Sequence, residues 1–519
     1  MKPTLRQSMT LLHTWAGVLL GSLLFVIFWM GTLSVFTDEI DRWMMPDTRR
    51  GSPLGVVSLD AVAAKAIELG GPQTRFISVS MPEPRTPVAR VRIQSDGGAR
   101  HDRYLNVSAL SWVPDPETAA ASRFLYPMHY SLHLPQGYWL VGLCAMAMLA
   151  LLVSGVIIHR SLIADFFTFR PGRRLARTSL DLHNLSSVVA LPFHFMITLS
   201  GLVIFFALYY PMVQHAVYPE LSIEEARNEL FKESEGRYTR EASGEPGSLA
   251  SLDAMYERAR SYWDGEPLRY FTLNNPLDAA GYATFGRLGN DHVSAKGDRV
   301  VFSSGTGELL QEPKLGPALA VQRFLSGMHQ LRFDHWVLRW LYFIAGLFGC
   351  VMIATGYIYW LETRRKRHAA DGLPGIRIVE GLTCGSVTGL IAATLAFLVA
   401  NRLLPMGFSI GSLSRLYSEI VVFYLVWVGS FVHAWARPTG AWVEQLRFIA
   451  LLAFGAVVLN WATTGDHLLK TLSDPHWPVA GVDLLLLCTG VLALRAGKRV
   501  ARSSAGRRRS GLEPAARQP

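Results

Sequence analysis

Seven histidines lie where long apolar runs begin, end or pass through. His13 opens the first run, and His129 and His133 precede the second, which His159 closes. His183 opens the third run, His194 lies within it, and His329 precedes the fourth. An imidazole in or beside lipid is costly without a partner, so each of these marks a site to be explained by function. Histidines at matching depths on separate helices are what a bis-imidazole haem needs. His183 and His194 are eleven residues apart. On a straight helix that spacing returns to within ~20° of the same face after a rise of ~16.5 Å, so one face of the third run offers ligands at two heights. Other metals fit less well. Zinc usually takes four ligands, often including Cys or carboxylate, and no HExxH spacing is present. Non-haem iron wants carboxylates, of which the apolar runs carry almost none. Met128-His129 and Met328-His329 keep copper open. CxxCH is absent, which excludes c-type attachment; haem b, held non-covalently, fits best.

These residues must be positioned by membrane helices. Half of the 519 residues are hydrophobic, and mean hydropathy is +0.23. A span needs ~20 apolar residues, and eight runs qualify, at roughly 11–36, 137–159, 183–209, 336–361, 379–400, 417–436, 447–463 and 479–496. The first is too long for a signal-peptide core and lacks a small-x-small cleavage site, so it reads as a retained helix. The net charge of +10 implies no nucleic acid, because the basic residues cluster in short segments. These are Lys2 and Arg6; Arg160, Arg170, Arg173, Arg174 and Arg177; Arg364 to Arg367; and the tail from Lys498 to Arg509. The positive-inside rule puts them all in the cytoplasm, with both termini. The stretch Phe166–Arg177 is amphipathic and basic, as expected of a segment lying on the inner membrane surface. Cys144, Cys350, Cys384 and Cys488 all fall within runs, with no disulfide or CxxC framework, and read as packing residues.

The expected fold is a polytopic α-helical membrane protein of about eight spans. Its organisation is a first span (1–36), an outside module (37–135), the second and third spans with a basic loop (136–210) and a second outside module (211–335). A fourth span (336–367), a four-helix extension (368–500) and a basic tail (501–519) follow. The first 368 residues are duplicated. His13-Thr14-Trp15 corresponds to His183-Asn184-Leu185, and Gly31-Thr32-Leu33 approximately to Ser200-Gly201-Leu202. Phe124 to His129 corresponds to Phe324 to His329, and Ser154-Gly155 to Thr355-Gly356. In the modules, Ser58-Leu59-Asp60-Ala61 and Ser251-Leu252-Asp253-Ala254 each open an amphipathic helix, followed by strand-like runs, so each reads as a small α+β unit. Parallel repeats are related by an axis along the membrane normal. That makes His13 equivalent to His183 at the inner face and His129 equivalent to His329 at the outer face. His159 and His194 have no counterparts in the other half, where Trp360 and Leu24 stand; for an electron-transfer protein the expected pairs are His13 with His183 inside, and His129 or His133 with His329 or His194 outside. The extension carries His433, His467 and His476 without a paired pattern and is given no chemistry.

The first-span residues His13-x-Trp15-x-Gly17 to Trp43, and then Met128 to His133, Ser154 to His159, Asp165 to Gly172, Leu182-His183-Asn184, Leu191 to His194, Arg339 to Phe343 and Ala354-Thr355-Gly356, resemble the PepSY-associated transmembrane helix family. The resemblance covers about 8–367. It implies an inner-membrane protein linked to iron uptake, of the dihaem ferric-siderophore reductase type, with degenerate PepSY-like periplasmic modules. It implies a haem-ligand pool of His13, His129, His133, His159, His183, His194 and His329, for two haems b. The partners would be the lipid bilayer, a periplasmic ferric siderophore or chelate, and a cytoplasmic donor or a quinol, since no nicotinamide or flavin motif is present. The alternative is a non-redox transporter or a PepSY-type sensor or regulator.

Overall fold

A computed structural model describes residues 4–49, 51, 57–98, 100–159, 170, 174–209, 216–226, 229, 238–289, 292–294, 298–312, 317–331, 333–370, 375–473 and 477–509. Most of the basic stretch Phe166–Arg177, together with His476 and the last ten residues of the tail, lies outside the described residues.

The elements used below run α1 (Leu5–Ser34), α2 (Thr37–Met44), α3 (Leu59–Gly70), β1 (Thr74–Ser80), β2 (Ala89–Ser95), β3 (Arg100–Asn106), β4 (Ser111–Trp112), α4 (Tyr126–Ser131), α5 (Gly137–Ile158), α6 (Leu175–Val189) and α7 (Leu191–Ile204). They continue as α8 (Leu252–Ser261), β5 (Leu268–Asn274), β6 (Tyr282–Arg287), β7 (Arg299–Ser303), β8 (Leu309–Gln311), α9 (Pro317–Gln330), α10 (Trp336–Ala370), α11 (Gly375–Cys384), α12 (Leu390–Leu403), α13 (Arg415–Ala436), α14 (Ala441–Thr464) and α15 (Trp477–Arg509). The chain divides into two compact units, 1–45 with 117–198 and 340–519, and 46–116 with 199–339.

The first unit is helical. Among the described residues, seven helices are long and apolar enough to cross a membrane: α1, α5, α10, α11 with α12, α13, α14 and α15. The third run departs from expectation. It is broken into α6 and α7, which meet at 65°. Ala190 leaves the helical region (φ −102°, ψ 13°), and Pro192 follows, whose ring clashes with the carbonyl four residues back and which has no N–H to donate. His183 and His194 therefore do not share one straight face, and the two-height argument fails. Residues 37–45 and 117–135, assigned from sequence to the first outside module, also differ. The first segment and 117–135 both belong to the helical unit. Trp43, wholly buried, donates from Nε1 to Asp483 Oδ1 on α15 at 2.8 Å. Buried polar groups must be paired, and these segments carry groups whose partners lie in the helices.

In the second unit the two α+β stretches share one sheet. All eight strands form one antiparallel sheet in the order β4-β3-β2-β1-β5-β6-β7-β8. The two halves join edge to edge where β1 pairs β5, with Ser78 opposite Thr272 at the centre of the ribbon. Each module alone would expose a strand edge; pairing them removes it. Ile77, Val79, Val91, Ile93 and Leu105 alternate onto one face, continued by Phe271, Leu273, Ala283, Phe285, Val300 and Phe302, all packed with α3 and α8. The helices are tied by a reciprocal cap. Asp253 accepts from Ser58 Oγ (2.6 Å) and Leu59 N (2.7 Å), while Asp60 accepts from Ser251 Oγ (2.7 Å) and Leu252 N (2.5 Å). Each first-turn carboxylate thus satisfies the start of the other helix. Asp60→Ala should destabilise both halves together, by about 1 kcal/mol or more, and so lower the melting temperature in one transition. Two separated thermal transitions would show that the halves fold independently.

Candidate histidine sites

The duplicated histidines recur in one local arrangement. His13 on α1 donates from Nδ1 to the Leu151 carbonyl of α5 at 3.1 Å, with Ser154 Oγ at 3.1 Å. His183 on α6 donates from Nδ1 to the Met352 carbonyl of α10 at 2.8 Å. His129 on α4 donates from Nδ1 to the Ile27 carbonyl of α1 at 2.9 Å. In each case a glycine stands four residues after that carbonyl, Gly155, Gly356 and Gly31. Residues i and i+4 share a helix face, so carbonyl and glycine make one notch into which the ring fits. The rings lie against these glycines so closely that a Cβ would stand 3.3 Å from His13 Cε1, 3.1 Å from His183 Nδ1 and 2.7 Å from His129 Cε1. In the second unit, His329 on α9 lies the same way against Gly201 of α7, at 2.9 Å from Cε1, with Nδ1 3.1 Å from Ser200 Oγ.

A carbonyl only accepts, so Nδ1 of His13, His183 and His129 carries the proton and Nε2 carries the lone pair. Metal-bound imidazoles are held in this manner, the second nitrogen donating to a carbonyl that fixes tautomer and orientation. The His13 and His183 rings come together, with centroids 6.2 Å apart and planes at 87°. An iron bound by one imidazole nitrogen on each side at about 2 Å places two ring centroids on the order of 6 Å apart. Among the described residues, no three or more His, Cys, Asp or Glu side chains are grouped to hold a bare ion. Two imidazoles suit an iron whose remaining ligands come with it, as in a porphyrin.

The other histidines differ. His194 on α7 is wholly buried, and its Nε2 donates to Ala345 O at 3.2 Å. Its lone pair therefore falls on Nδ1, which is buried without a hydrogen-bond partner, while Phe28 meets the ring edge-on at 5.6 Å. His133 is bound into its own loop, donating from Nε2 to Phe124 O at 2.8 Å and stacking on Phe124 at 4.9 Å. His159 is the C-cap residue of α5. Of the small-residue pair Gly17 and Gly21, Gly21 closes on the Tyr357 ring, whose hydroxyl donates to Val18 O at 2.9 Å; this is helix-to-helix packing.

Sequence reasoning passed over the extension. Its spans hold Glu419, wholly buried, and Asp483, nearly so. The signal was available, since an ionisable residue within a span asks for a partner and a reason. Beside them, outside the spans, Asp41 of α2 accepts from Ala121 N (2.7 Å) and Ser122 N (3.0 Å). Burial pushes its carboxyl up to about 6, against the pull of the Ser122 and Ala121 hydrogen bonds.

A helical unit with candidate membrane spans and a repeated histidine arrangement, in one chain with an α+β unit, defines a class of polytopic membrane protein. The sequence model of the PepSY-associated TM region matches residues 10–363, and the chain belongs to that family. It is 27% identical over 398 residues to the uncharacterized Pseudomonas aeruginosa protein PA4219, covering 73% of this chain and 95% of that one.

Proposed function

We propose that this protein is an inner-membrane b-type dihaem electron carrier that reduces a ferric siderophore or other ferric chelate in the periplasm. The observation that carries the reading is the His13–His183 pair, two rings 6.2 Å apart, each with its Nδ1 committed to a helix carbonyl. The remaining haem would draw on the rest of the histidine pool, with His129 and His194 its members in the helical unit. Haem b supplies one-electron transfer when bound. The chain's own residues hold the imidazoles in one tautomer and fix the angle between them. Arg177 precedes His183 on α6, and Arg364 and Arg365 follow Gly356, which the His183 ring faces, on α10; this supports a cytoplasmic side for that pair. Electrons would enter there from a cytoplasmic donor or a quinol and leave to the periplasmic ferric chelate. Fe(II) binds hard oxygen ligands more weakly than Fe(III), so reduction would release the metal from its chelate.

The test is a reduced-minus-oxidised spectrum with pyridine-haemochrome quantitation on purified protein made with haem in excess. Sharp reduced α-bands and about two haems b per chain are expected. A colourless protein would sink the reading and leave a non-redox transporter or regulator.

A further inference from the structure

We propose that the C-terminal helices act as a one-sided clamp that positions the helix carrying His129, with Glu419 as the central positioning residue. The inference rests on the reading of His129 as a haem ligand, but its mechanical part can be measured without haem.

These helices follow the residues that the family match covers. Glu419, on α13, accepts from Thr118 Oγ1 (2.5 Å), Asn401 Nδ2 (3.0 Å) and Ala119 N (3.2 Å). Arg415 lies 3.5 Å from it and donates to the carbonyls of Asn401 (2.5 Å), Leu404 (2.9 Å) and Glu117 (3.3 Å). A carboxylate and a guanidinium this deeply buried persist only when fully engaged, and much of what engages them is segment 117–119. The chain bends through positive φ at two non-glycine residues, Glu117 (φ 45°) within that segment and Ala120 (φ 53°) directly after it, a conformation that needs outside support.

The grip continues along the chain. A turn of π-helix, Ala121–Leu125, runs directly into α4. Its Phe124 is wholly buried, with its ring 5.0 Å from Phe397, 4.9 Å from Phe423 and 6.1 Å from Tyr424 of the extension. Tyr424 Oη reaches Met128 Sδ at 3.9 Å. One residue on, His129 turns the other way, to Ile27 O and Gly31 of α1. The segment is therefore wedged between the duplicated core and the extension. In the other half, Phe324, in the position of Phe124, is 47% exposed. The extension thus breaks the equivalence of the two repeats by fixing one histidine helix more firmly than the other.

The test uses full-length protein carrying Glu419→Ala, Glu419→Gln or Thr118→Val, the last two as milder variants should the first not fold. Hydrogen exchange is followed in peptides covering 117–134 and in those containing His13 and His183. Redox titration follows each α-band. With Glu419→Ala, exchange in 117–134 should rise by at least about tenfold, with peptides around His13 and His183 unchanged. One haem should shift in potential while the other holds. Glu419→Gln should restore most of both, since its amide oxygen still accepts from Thr118, and Thr118→Val should show a smaller form of the same local change. Unchanged exchange in 117–134, an equal rise around His13, or a common shift of both potentials would overturn the clamp. Protein without haem would instead refute the electron-carrier reading, while the exchange data still decide the clamp.

Discussion

His183→Ala is expected to lower the haem content from about two to about one per chain. The His183 ring lies 6.2 Å from the His13 ring, so alanine would remove one of the two imidazoles that would hold the proposed haem and leave His13 alone across the gap. The Met352 carbonyl also loses the donor that fixed His183. Altering such an outer partner alone typically costs 10–100-fold in metal affinity, and loss of the ligand itself costs more. If both residues serve one iron, as proposed, His13→Ala should give the same phenotype, and the double variant should be no worse than either single one. The 87° between the ring planes adds a spectroscopic signature: wild-type ferric protein should show a strongly anisotropic low-spin resonance, absent from both variants. Full haem retention in His183→Ala would mean that these two rings are packing groups.

Much of this could be read from the sequence, for physical reasons that also show where reading stopped. The apolar runs are long enough to announce spans, since lipid demands ~20 apolar residues whatever the tertiary structure. The strands announced themselves by alternation, as at Phe76–Val79 and Arg269–Leu273. That β1 and β5 pair into one sheet was not legible, because pairing residues almost two hundred positions apart depends on register and not on local pattern. The break before His194 was in view as Leu191-Pro192-Phe193-His194, but period arithmetic treats an apolar run as straight. Gly155 and Gly356 stood out as repeat-matched residues. What they face emerges only when α1 packs on α5 and α6 on α10.

The glycines give the second large effect, and its grading is the sharper test. A Cβ on Gly31 would lie 2.7 Å from His129 Cε1 and 2.8 Å from Nδ1; one on Gly201 would lie 2.9 Å from His329 Cε1. Carbon contacts are most favourable at about 3.5–4.0 Å, so Gly31→Ala must push the ring out of its notch and break the bond to Ile27. Beside Gly356 the nearest atom is His183 Nδ1 at 3.1 Å, and beside Gly155 it is His13 Cε1 at 3.3 Å; there a few tenths of an ångström suffices. Gly31→Ala should therefore weaken retention of the haem proposed to be held by His129 by about 10–100-fold. Gly201→Ala should come next and Gly356→Ala should be mild. Gly155→Ala should be nearly silent, although Gly155→Leu at the same site should not be. Haem retention during dialysis against apomyoglobin measures all of them on one scale. If the notches merely let helices approach, the four alanine variants should differ in thermal stability with no order in haem retention. If the rings are ligands steered by glycine and carbonyl together, retention should follow the contact distances, with Gly31→Ala the weakest holder and Gly155→Ala close to the parent.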